Sequence, residues 1–181
     1  MIRRSMRSQL FLIPAALVAA AVPATASATV YMSLEKAQKK LFPGATLTPA
    51  FKRLTESQYQ KLVTTANVTV WNREVKVWHA STGGWFFLDQ VNGRDDWVSY
   101  AVALDEEGQV TGIEVMECVE RYDQIRNPAW LAQFKHHRHG TLRLEGDIQN
   151  ISGTTLSADH ITGGVKRVLA TYALYVAPPS G

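Results

Sequence analysis

The feature that most constrains this chain lies between Val68 and Cys118. There, five runs rich in β-branched and aromatic residues follow one another with little chain between them: Val68 to Trp71, Glu74 to Ala80, Trp85 to Val91, Trp97 to Leu104 and Val110 to Cys118. The joints Asn72-Arg73, Ser81 to Gly84, Asn92 to Asp96 and Asp105 to Gln109 carry the Gly, Asn and Asp that turns favour. A parallel return needs a connection of roughly a dozen residues or more, so neighbouring strands must run antiparallel. The expected centre is an antiparallel β-meander of about five strands.

Helical patterns flank it. Ser33 is placed to cap a run in which Leu34, Ala37 and Leu41 recur at helical spacing, and Pro43-Gly44 stops that run. Thr55 and Gln58 have the spacing of a capping box ahead of Tyr59, Leu62 and Val63, and Asn67 ends the segment. Beyond the meander, Asn127-Pro128 reads as an N-cap and a first-turn proline opening a helix with Trp130, Leu131 and Phe134, which ends near His136 to Gly140. A long last helix is expected from Ser157, with Ile161, Val165, Val168, Leu169, Tyr172 and Val176 on one face until Pro178-Pro179. Gly163-Gly164 inside it costs about 1 kcal/mol per glycine relative to alanine, which predicts the close approach of another backbone or a ligand. The fold class is therefore α+β: the sheet packs with N-terminal helices and a long C-terminal helix.

The N-terminus reads as a targeting segment. Arg3, Arg4 and Arg7 precede an apolar run from Leu10 to Val22, and Ala26-Ser27-Ala28 resembles a peptidase site, so residues 1–28 are expected to be a signal peptide cleaved before Thr29. The apolar run falls short of the roughly 20 residues that span a bilayer. Residues 29–181 are then expected to form a single exported domain in the periplasm. Losing the leader removes three of the 19 Lys and Arg and none of the 16 Asp and Glu, which leaves the rest formally neutral. That balance gives no support to nucleic-acid binding. Cys118 is the only cysteine, so an internal disulfide and a haem-attaching C-x-x-C-H pair are excluded. Its apolar neighbours mark it as a core residue of a strand. His136, His137 and His139 lack a nearby acidic or cysteine partner and read as a solvated loop rather than a metal site.

One hydroxyl-rich segment precedes the last helix: Asn150-Ile151-Ser152-Gly153-Thr154-Thr155-Leu156-Ser157. By pattern alone it is either a turn leading into a Ser-capped helix or a phosphate cradle. Gly153 permits positive φ, the hydroxyls can donate, and a helix N-terminus attracts anions. The segment resembles the Asp-x-x-Ser-Gly-Ala-Thr-x-Thr signature of the FMN-binding domains of exported flavoproteins, among them subunits of sodium-pumping and ferredoxin-linked membrane redox complexes. Supporting matches are Leu41-Phe42-Pro43, Trp85-Phe86, Tyr100 to Asp105, Gly108, Glu120-Arg121-Tyr122, Pro128-Ala129-Trp130 and Phe134. Thr154 and Ser157 depart from the signature, where it has Ala and Thr.

The resemblance implies an FMN cofactor joined through its phosphate to Ser157 at the N-cap of the last helix, with Thr155 as the second candidate acceptor. It implies Ser152, Gly153, Thr154, Thr155 and Leu156 as the cradle, and Glu120 and Tyr122 on a loop approaching the flavin. Trp85, Trp130 and Phe134 are further candidate ring walls. The implied partners are an FAD-dependent FMN transferase for maturation and a membrane redox subunit or cytochrome for electron exchange. The implied role is an electron carrier with no catalytic acid or base of its own. Two alternatives stand beside it: an FMN-type fold without flavin that serves as a partner-binding or assembly module, and a flavin-dependent reductase of a small substrate.

Overall fold

The structure, a computed structural model, describes residues 29–93, 96–118, 123–140 and 142–177. The leader, Glu120, Tyr122 and Pro178-Pro179 therefore lie outside the described residues. The elements are, in chain order, β1 (Thr29–Val30), α1 (Leu34–Leu41), β2 (Leu47–Pro49), β3 (Lys52–Arg53), α2 (Glu56–Ala66), β4 (Glu74–Ala80), β5 (Trp85–Asn92), β6 (Trp97–Leu104) and β7 (Val110–Cys118). A 3₁₀ turn (Asp123–Arg126), α3 (Pro128–Ala132), α4 (Thr155–Thr171) and a π-helical turn (Tyr172–Val176) complete them.

All strand pairs are antiparallel, in the order β1-β7-β6-β5-β4-β2, with β3 also on β4. The expected α+β meander is thus present from β4 to β7. The first of the five expected strands is not: Val68 to Trp71 is irregular, because these residues serve tertiary contacts rather than a ladder. Val70 is buried beside Leu54, Leu62 and Ala66, and the Thr69 carbonyl accepts a hydrogen bond from Arg167. Three short strands take its place in the sheet. Of these, β2 contains Pro49, which an edge strand tolerates.

The helices form where local chemistry asks for them. Ser33 accepts from the Lys36 N–H, Thr55 and Gln58 close a complete capping box, Asn67 takes the left-handed conformation that ends α2, and Asn127 caps α3 ahead of Pro128. One face of the sheet packs against α3 and α4 around Phe87, Tyr100, Val102, Ile113, Phe134, Ile161 and Val165. The other face carries Trp78, Phe86, Ala101 and Met116 beneath Ala37 of α1. Cys118 is buried at the end of β7. Among the described residues no helix is long and apolar enough to cross a membrane.

Candidate functional site

The hydroxyl-rich segment enters α4 on the sheet face that α3 shares, and α3 fixes its approach. The Trp130 indole N–H donates to the Gln149 carbonyl at 2.8 Å, and the Gln149 N–H donates to Gln133 Oε1 at 2.8 Å. The Asn150 side-chain amide then donates to both Glu145 Oε1 and Thr155 Oγ1, each at 3.0 Å. Asn suits this position because an acid would set a second carboxylate against Glu145 while removing both donors. Gly153 adopts φ +88°, as a reversal into the helix requires, and the Gln124 side chain lies 3.8 Å from where a β-carbon on it would sit.

The N-cap of the helix lies three residues earlier than the expected Ser157. Its N-cap is Thr154, whose carbonyl accepts from the Ala158 N–H at 2.9 Å, so Ser157 stands inside the first turn rather than at the cap. The reversal at Gly153 feeds the chain directly into helical geometry at Thr155, which brings the start forward. Ser157 and Thr154 are buried, while Ser152, Gly153, Thr155 and Leu156 are exposed. Thr154 makes no side-chain cap bond, because its hydroxyl turns back toward the Ile151 carbonyl. The N-cap side chain therefore does not serve the first-turn N–H groups of α4. This donor set beside the Ser152 and Thr155 hydroxyls suits a phosphate group.

The aromatic candidates divide. Trp130 and Phe134 pack edge to face with centroids 5.0 Å apart and are buried, so they support the segment from within the core. Trp85 is remote: it stacks on His79 at one end of β5, whereas Asn92 at the other end meets His160 of α4. Seven strand steps put roughly 23 Å between those ends. Glu120 and Tyr122 lie outside the described residues. Among the described residues, no group of His, Cys, Asp and Glu is arranged to hold a metal ion.

A buried polar cluster further along α4 has no local signal in the sequence. Arg167 donates to Asp89 Oδ2 through Nε (3.1 Å) and Nη2 (2.6 Å), to the Thr69 carbonyl at 2.6 Å and to the Gln90 carbonyl at 2.9 Å. Tyr100 donates to the same Asp89 oxygen at 2.8 Å. Burial and the Asp89 charge hold the Tyr100 phenol well above its ordinary range. Burial works against the Arg167 cation, but Tyr100 and Asp89 outweigh it and raise its pKa.

Residues 93–170 match the family model described as an FMN-binding domain. No curated protein matches the chain.

Proposed function

We propose that this chain, whose residues 93–170 match the FMN-binding domain model, is an exported electron-transfer flavoprotein with FMN as its cofactor, bound covalently through its phosphate to Ser157. The observation that carries this reading is the first turn of α4. Its N-cap Thr154 does not cap it through the side chain, it follows a Gly153 reversal, and it sits inside the matched span at the hydroxyl-rich segment. Backbone N–H groups there offset phosphate charge, and the helix dipole adds to them. Trp130, Gln133 and Asn150 hold the segment in register. When bound, FMN supplies the one- and two-electron chemistry.

Ser157 is buried within the first turn of α4, so attachment requires that turn to open. We read this as an order of events: an FAD-dependent transferase acts before the turn packs, and closure afterwards sequesters the ester. Thr155 is exposed and is the competing acceptor. Export follows from the leader, and a membrane redox subunit or cytochrome outside the cytoplasm is the proposed electron partner.

The test is the visible spectrum of protein co-produced with its transferase, taken after gel filtration in denaturant. Flavin absorbance that stays with the polypeptide supports covalent attachment. Colourless protein from a flavin-replete cell overturns it and favours the assembly-module reading.

A further inference from the structure

The two adjacent glycines of α4 are not equivalent. Gly164 is demanded by packing, since a β-carbon there would stand 2.1 Å from Tyr100 Oη and 2.8 Å from Val91 Cγ1. Gly163 is under no such demand: among the described residues its β-carbon would meet only Val68, with Cγ1 at 3.4 Å and Cβ at 3.9 Å. A mid-helix glycine without a packing reason costs about 1 kcal/mol, so something else must account for the space it leaves.

That space is a cavity of about 580 Å³ between α4, the loop after α2 and the segment around Arg143. Trp71 forms an aromatic wall, half exposed and braced edge to face by Trp97 at 5.3 Å. Val68, Leu142 and Leu144 add apolar surface. The lining also carries Lys166, one turn beyond Gly163, Arg143 and one acid, Asp159, and among the described residues neither cation forms an ion pair. The remaining cation in the lining, Arg167, is committed to Asp89. Part of the wall, including Val68, Trp71 and Asn92, precedes the matched span.

We propose that this cavity is a second binding site, separate from the Ser152 to Ser157 segment, for a small planar anion such as an aromatic or conjugated carboxylate. The ring lies against Trp71 over the bare Cα of Gly163, and the acid group meets Lys166 and Arg143. Flat apolar surface with cations at one side selects such a ligand over a neutral ring, which leaves the cations unanswered, and over a compact anion, which leaves the indole uncovered. The site does not depend on how the flavin is attached.

The test uses 8-anilinonaphthalene-1-sulfonate, a planar aromatic anion, titrated into the full-length mature chain and followed by probe fluorescence and energy transfer from tryptophan. Uncharged N-phenyl-1-naphthylamine is the control. Saturable single-site binding of the anion is expected, with the neutral probe weaker by about tenfold or more. Gly163→Leu fills the cavity and should abolish binding while the melting temperature holds or rises. Lys166→Glu, at a half-buried position, should weaken binding by about tenfold or more. Undiminished binding to either folded variant, or equal binding of the two probes, overturns the proposal. If Gly163→Leu does not fold, Lys166→Glu and the probe comparison decide.

Discussion

At the scale of single residues, α4 makes two neighbouring positions respond in opposite directions to the same substitution. Gly163→Ala removes a helix penalty and meets ordinary contact distance, so thermal unfolding should show a gain of up to about 1 kcal/mol. Gly164→Ala drives a methyl into Tyr100 Oη, which its bond to Asp89 keeps from swinging aside, so a loss of about 1–3 kcal/mol is expected. Equal responses would mean that the close packing of α4 on β5 and β6 is wrong. The glycine pair was legible as a place of close approach, but not which member had which neighbour. That distinction depends on strands about 65 to 75 residues earlier in the chain, which no local pattern reports.

At the scale of elements, what the sequence discloses follows the range of the interaction responsible. The caps of α1, α2 and α3 are formed by residues within three positions of one another, and each is readable from its own neighbourhood. So is the meander from β4 to β7, because short turns leave strands no other way to pair. The segment from Val68 to Trp71 has strand chemistry but is drawn into contacts with α2, α4 and Arg167. The strands β2 and β3 exist only through their register with β4, and three and two residues are too few to show a period. The start of α4 is not legible in the sequence for a related reason: several hydroxyl residues can cap, and the φ of Gly153 chooses among them. Helix α3 acts at this scale too, by holding the segment through Trp130. Trp130→Phe deletes the bond to the Gln149 carbonyl and should cost about 1 kcal/mol. Flavin incorporation should fall while the far-ultraviolet circular dichroism is retained; unchanged incorporation would detach α3 from the site.

At the scale of the whole molecule, the Arg167, Asp89 and Tyr100 cluster ties α4 to the sheet and to the loop after α2. Removing the guanidinium by Arg167→Ala strands a carboxylate and two carbonyls, and a loss of about 3–5 kcal/mol in chemical denaturation is expected. The same cluster sets the alkaline limit of stability. Burial and then Asp89 raise the Tyr100 pKa, while burial also raises those of Tyr172 and Tyr175. The folded chain therefore holds phenolic protons that the unfolded chain releases once the pH passes about 10. That stabilisation is complete below pH 10 and is lost as the pH climbs through the raised values. Tyr100→Phe should flatten the decline of melting temperature with pH in that window, and an unchanged slope would remove Tyr100 from the account.

All of this serves to hold one first turn of helix, and the claim about that turn is tested most directly by its mass. The peptide spanning Asn150 to Ser157 should be recovered, from protein made with the transferase in a flavin-replete cell, heavier by one FMN less water, with fragmentation placing the addition on Ser157 and a Ser157→Ala variant losing it. An unmodified peptide, or the same addition on Thr155 in both proteins, would contradict it.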